Sequence, residues 1–298
     1  MHPAEIVIRM VNRPAPRLTL RVGQATIAGR LRSSRDNSPI ARKLMETLMI
    51  RKILHTASLT LATIFALSFA AWGSCSNANV KGNYGFVSTT TDTSGDLEAS
   101  LGHFTANGKG SFTGTQTQSI EGTITTNSVT GTYAVNADCT GSGTITGKGK
   151  GASHFDLTVL TAGKRLQIVT TDSGLIGTSY SEAQGSATCT NAGVKGAFGV
   201  QSTGTFLTIG PVAFNGLLTL DGSGNLTGTA SGSVDGQIFS QQSLSGTYQI
   251  KSNCTGTMTF QVSGQQAQHA SVVVVSGGKG MLLLETDTGT IVSGSGQQ

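Results

Sequence analysis

Few residues in this 298-residue chain are equipped for chemistry. Three histidines follow residue 73, namely His103, His154 and His269, and the last two occupy equivalent places in an internal repeat. An imidazole changes charge near neutral pH and serves as ligand, acid or base, which makes His154 and His269 the candidate binding residues. Strand parity argues for a blander role: His154 shares a face with Asp156 and Thr158, opposite Phe155, Leu157 and Val159, the pattern of a solvated strand face. Asp172 and Asp287, each followed two residues later by Gly, are acids in ordinary turn chemistry. The acid pair that glycoside hydrolysis needs is not repeated, because Glu98 is answered by Val212 and Glu182 by Gln297, while Glu121 and its counterpart Asp235 each precede a turn glycine. Asp221-Gly-Ser-Gly has too few oxygen ligands for a calcium loop, and Gly278-Lys-Gly lacks the spacing and helix of a phosphate loop. Asn225-Leu-Thr and Asn253-Cys-Thr are glycosylation sequons by pattern alone. No catalytic constellation, metal site or cofactor motif is expected.

The four cysteines, Cys75, Cys139, Cys189 and Cys254, form no Cys-x-x-Cys, which argues against zinc and thioredoxin-like redox chemistry. In an exported chain they are disulfide cysteines, with three possible connectivities. Separations of 64 and 65 residues favour one bridge per copy, Cys75–Cys139 and Cys189–Cys254, so that each copy carries the same bond.

Two stretches set the frame that positions these residues. Cys75-Ser-Asn-Ala-Asn-Val-Lys-Gly-Asn-Tyr-Gly recurs as Cys189-Thr-Asn-Ala-Gly-Val-Lys-Gly-Ala-Phe-Gly. The repeat continues through Asn107-Gly/Asp221-Gly, Gly131-Thr-Tyr/Gly246-Thr-Tyr, Cys139-Thr-Gly/Cys254-Thr-Gly and Gly163-Lys/Gly278-Lys. Strands are predicted in the first copy at 82–90, 97–106, 110–119, 121–126, 130–136, 142–148, 153–161 and 165–171, with a weaker run at 175–182. The links are short and rich in turn residues, and Asn-Gly or Asp-Gly between alternating runs is a strong hairpin signal. The fold class is therefore all-β, with two tandem antiparallel meanders, each closing into a small up-and-down barrel to remove its exposed edges. A β-sandwich is the alternative. The predicted core pairs are Phe104/Leu218, Phe112/Leu226, Tyr133/Tyr248, Val135/Ile250, Leu157/Val272 and Val159/Val274. With Cys139 read as following a fifth strand, an N-terminal arm would have to cross the barrel to bring Cys75 to it.

Gly82-Asn-Tyr84 and Gly196-Ala-Phe198 at the first strand of each copy resemble the Gly-x-Trp opening of lipocalin-like (calycin) barrels, without the Trp. The Gly-Thr-Tyr, Cys-Thr-Gly and Asn-Gly combination is similar to secreted bacterial tandem-repeat β proteins that are themselves uncharacterised. The resemblance implies a barrel fold and brings no functional residue with it.

The expected organisation is a non-folding or spurious extension at 1–48, a signal peptide at 49–73, repeat 1 at 74–187 and repeat 2 at 188–298. Arg51 and Lys52 lead the apolar run Leu59 to Ala71, and Ala71-Trp72-Gly73 suits a cleavage site. Met45 or Met49 is the expected true start. Eleven of the 20 basic residues precede residue 53, leaving nine basic and twelve acidic residues beyond it, so the net charge of +5 is no argument for a nucleic-acid partner. No transmembrane span is expected in the mature chain. The protein is expected to be secreted, periplasmic or at the cell surface, with lipid anchoring at Cys75 as a lesser alternative.

The leading functional reading is a non-enzymatic barrel that binds small apolar molecules or glycans, or a surface structural component. The alternatives are a barrel enzyme of cyclase or isomerase type and an adhesin or matrix protein. Polar residues shared by both barrel interiors would favour an enzyme. Trp72 is the only tryptophan. Cleavage after Gly73 should therefore yield a mature chain with tyrosine emission alone and an intact mass starting at Ser74; a tryptophan band from exported material would count against the cut.

Overall fold

The computed structural model describes residues 74–147, 151–185 and 189–298; the expected extension and signal peptide lie outside the described residues. Alternating side chains and turn-rich links produce sixteen antiparallel strands. The first eight are β1 (Lys81–Asp92), β2 (Leu97–Asn107), β3 (Ser111–Ile120), β4 (Thr123–Val135), β5 (Thr140–Gly147), β6 (Ala152–Leu160), β7 (Arg165–Thr170) and β8 (Leu175–Ala183). The second eight are β9 (Gly196–Phe206), β10 (Gly210–Leu220), β11 (Asn225–Val234), β12 (Gln237–Ile250), β13 (Thr255–Val262), β14 (Gln268–Val275), β15 (Gly280–Glu285) and β16 (Thr290–Gln297). Each set runs as a meander and closes into a barrel by pairing its last strand with its first. Closure leaves no free edge and rules out the sandwich.

The predicted core residues face the two interiors, with Val135 partly buried and the rest buried. Two boundaries differ from expectation. The runs at 121–126 and 130–136 are one continuous strand, β4, and the weaker run at 175–182 is a full closing strand, β8. The residues between the two predicted strands, Asn127 to Val129, lack the turn geometry that Thr, Asn and Ser suggested, because they pair with Gly114 to Gln116 throughout.

That merger moves the cysteines. Cys139 follows the fourth strand, which runs opposite to β1, so it lies at the same rim as Cys75. The bridges Cys75–Cys139 (Cα–Cα 5.0 Å) and Cys189–Cys254 (4.9 Å) therefore span one end of each barrel, and no arm crosses it. Closing loops of this length contributes roughly 4 kcal/mol per bridge in the chain-entropy model. With its sulfur bonded to Cys139, Cys75 has none left for a lipid thioether.

The repeated motifs converge on this rim. A 3-10 turn, Asn77–Asn79 in the first copy and Ala192–Val194 in the second, plugs the barrel end, burying Val80 and Val194. The Asn77 and Asn191 side-chain oxygens accept from the backbone N–H of Val135 and Ile250, each at 2.7 Å. The Tyr133 hydroxyl donates to the Val80 carbonyl and accepts from Gly108 N–H of the Asn-Gly hairpin; Tyr248 donates to Asn191 and accepts from Gly222. Gly163 (φ +89) and Gly278 (φ +91) pass so close to the plug that a Cβ would stand 1.8 Å from the Asn79 carbonyl and 2.3 Å from that of Gly193.

The barrels meet through a third apolar cluster: Ala99 and Leu101 of the first against Val273, Val275, Leu282, Leu284 and Ile291 of the second. This explains why Val272 to Val275 and Met281 to Leu284 are unbroken apolar runs. One face fills the interior and the other fills the joint, so alternation gives way to burial on both sides. At its edge the buried Glu182 carboxylate receives Arg165 (3.3 Å), the Tyr180 hydroxyl (2.7 Å) and the Ser276 hydroxyl. The small, polar segment that links the copies in sequence would suit independent folding, yet an isolated second copy would expose this apolar face to water. Leu282→Ala is predicted to cost about 2–5 kcal/mol in urea unfolding, as a fully buried leucine does. A loss below about 1 kcal/mol would show that the joint is not a source of stability.

Candidate binding site in the barrel lumens

Strand register fixes which side chains meet inside. In the first barrel Tyr84 lies opposite Phe104, Phe86 opposite Gly102, Ser88 opposite Ser100 and Thr90 opposite Glu98. The interior is thus layered: aromatic near the plugged rim, polar toward the far rim. Tyr84 and Phe104 stack at 5.1 Å, and Phe104 meets Phe112 at 5.3 Å. Room for these rings comes from cross-strand glycines; a Cβ at Gly131 would stand 2.3 Å from the Phe112 ring and one at Gly143 2.5 Å from Phe155. Above them is a collar in which Ser100 donates to Glu98 at 3.0 Å, Gln118 donates to the same carboxylate, and Asn127 donates to Gln118 at 3.4 Å.

Between floor and collar lies a cavity of about 210 Å³. At about 30 Å³ per water this is roughly seven waters' worth, the size of one ring with its substituents. Gln116 lines it, is 8 % exposed, and makes no side-chain hydrogen bond among the described residues. An amide in that position offers a donor and an acceptor to whatever occupies the space.

The second interior has the same frame and different contents. Glu98, Ser100, Gln116 and Gln118 are answered by Val212, Phe214, Ala230 and Gly232, which removes the collar. A smaller cavity of about 110 Å³ remains, walled by residues such as Leu218, Leu244, Met258, Phe214 and Phe239. Phe214 lies 6.1 Å from Phe206 and 5.9 Å from Phe239 between ring centres. Into this mainly apolar space, which Ser202, Ser293 and Gln268 also line, projects one acid, Glu285, where the first copy carries Thr170. It is 6 % exposed and its Oε1 has no hydrogen-bond partner among the described residues. Burial, with a smaller contribution from Asp287, pushes its carboxyl up to about 7.

His154 and His269 project from the outer face at the rim away from the disulfides, as their parity suggests, and His154 also borders the first cavity. Each is tied to the downstream aspartate of its own copy. Asp172 accepts from the His154 backbone N–H (2.8 Å) and contacts its Nδ1 (2.7 Å); Asp287 does the same to His269 at 2.7 and 2.8 Å. The hydrogen bonds from His154 hold the Asp172 carboxyl below its usual range. Each aspartate thereby completes the ladder where its strand pair ends, and the imidazoles remain more than half exposed. Glu98 and Glu182, which sequence reading weighed as candidate acids, are separated into collar and joint. Among the described residues no cluster of three metal-ligating side chains occurs.

The fold and site define a class: a tandem pair of closed, eight-stranded up-and-down barrels with internal cavities. No protein-family model matches the chain, and no curated protein matches it in sequence. Among solved structures, the chain is similar to a protein of unknown function from the DUF3598 family of Nostoc punctiforme, at 9% identity and TM-score 0.26, covering 74% of this chain and 96% of that one. It is also similar to kievitone hydratase from Nectria haematococca, at 9% identity and TM-score 0.22, covering 76% and 92%. Likenesses this distant carry no functional argument.

Sequence reading missed Gln116, Gln118 and Glu285. The first two share parity with the core residue Phe112, which was signal enough; Glu285 ends the Met281-Leu-Leu-Leu run, where parity is invisible. The Glu285 carboxyl titrates near 7 in the fold against 4.5 ordinarily, so the fold holds a proton that the unfolded chain releases. Its contribution to stability is fully present below about pH 4.5 and is lost as pH rises through about 7, by up to about 3 kcal/mol. Burial lowers His103 and gives a pH dependence of opposite sign, so the comparison must be with Glu285→Gln. Denaturant unfolding from pH 5 to 8 should show the variant gaining stability relative to the wild type as pH rises; parallel curves would contradict the assignment.

Proposed function

We propose that the protein is an exported, non-enzymatic ligand-binding double barrel, and that the first lumen takes a single-ring ligand bearing hydroxyl groups, such as a phenol or a terminal sugar. One observation carries this reading: an aromatic floor and a hydrogen-bonding collar face each other across a ring-sized cavity. Rings stack on aromatic faces, while Gln116 and the collar oxygens pair with hydroxyls that would otherwise enter the cavity unsatisfied. The two bridges fit an oxidising compartment, extracellular or periplasmic. Among the described residues no helix is long and apolar enough to cross a membrane. Of the polar residues lining the two cavities only Ser88/Ser202 recurs unchanged, with Thr178/Ser293 keeping a hydroxyl, so the pattern that would have favoured an enzyme is weak.

Calorimetric titration of the mature chain with phenol, methyl glucoside and toluene tests the proposal. At least one hydroxylated ring should bind saturably and more tightly than toluene, and Gln116→Leu should weaken it about three- to tenfold without lowering stability. Toluene binding as well as both hydroxylated rings, or no saturable binding by any ring in the millimolar range, would overturn it.

A further inference from the structure

We infer that the second lumen is a separate site, selective for a small primary ammonium with a short apolar body, with Glu285 as the group that selects it. The Glu285 side chain is buried, its Oε1 has no hydrogen-bond partner among the described residues, and it faces a cavity walled mainly by apolar side chains, with Ser202, Ser293 and Gln268 among the few polar ones. A buried acceptor without a donor is costly and is relieved by a ligand that brings one. A neutral hydrocarbon would fill the space and leave the oxygen unsatisfied; an anion would meet Glu285 and the nearby Asp287 carboxylate, which His269 holds in place. A primary ammonium satisfies the oxygen, and Phe214 and Phe239 line the same cavity, where an aromatic ring can attract a cation further. Its apolar body then lies against Leu218, Leu244 and Met258. The volume of about 110 Å³ limits that body to a few carbons. Glu285 has no equivalent in the first barrel, where Thr170 stands, so this site is independent of the ring site proposed there.

The test uses n-butylamine and its neutral near-isostere n-butanol on the full mature chain. Carbon-13-labelled methionine methyls report the location, since Met258 lines the cavity and Met281 does not. The amine should shift the Met258 methyl resonance in a saturable way and bind at least about tenfold more tightly than the alcohol. In Glu285→Gln that preference should disappear while the alcohol affinity stays the same. Equal binding of amine and alcohol by the wild type, an unshifted Met258 methyl throughout the millimolar range, or a retained amine preference in the variant would each overturn the site. The wild-type comparison stands even if the variant fails to fold, and neither readout depends on the first lumen.

Discussion

Each barrel depends on its plugged rim. There the disulfide, the Asn77 or Asn191 side chain and the Tyr133 or Tyr248 hydroxyl tie the segment before the first strand to the end of the fourth. An eight-strand meander closes only if its first and last strands meet in register, and a plug fixed halfway round the circle limits how the sheet can curl. Most of the motifs that recur between the copies serve this rim, namely Cys-x-Asn-Ala, the Gly of the hairpin, Gly-Thr-Tyr, Cys-Thr-Gly and Gly-Lys, while the His154–Asp172 and His269–Asp287 pairs recur at the other. Buried tyrosine hydroxyls and asparagine amides tolerate little change because a lost partner leaves a buried polar group unsatisfied.

The rest of the interior is freer, and there the copies part. With closure secured at one end, the far half of the first lumen carries Glu98, Gln116 and Gln118, and the far half of the second carries Phe214, Ala230 and Glu285. One frame thus supports a polar collar over aromatic rings and an apolar chamber with a single acid. The division between a repeated structural end and a divergent end is the physical basis for reading two binding sites of different chemistry.

The joint couples the two barrels at a cost to sequence regularity. Burying Leu282 and Leu284 on the outer face requires apolar residues at positions that are solvated in a lone barrel. Glu182 is admitted to that interface only because Arg165, Tyr180 and Ser276 satisfy it.

Alternation and turn chemistry were enough to establish the all-β class, the two copies, the core from Phe104 to Val274 and the outward placement of His154 and His269, since these follow from local periodicity. The sequence also paired each cysteine with its counterpart in the same copy by spacing. Tertiary structure alone decided that 123–135 is one strand, which put the cysteines on a common rim; a run of Thr, Asn and Ser is compatible with turn or strand, and only pairing with β3 chooses. It likewise decided that Val273, Val275, Leu282 and Leu284 face a neighbouring barrel and that Glu285 is the one acid lining the second cavity. Both are properties of distances between residues far apart in the chain, and period-two patterns carry no such distances once both faces are buried.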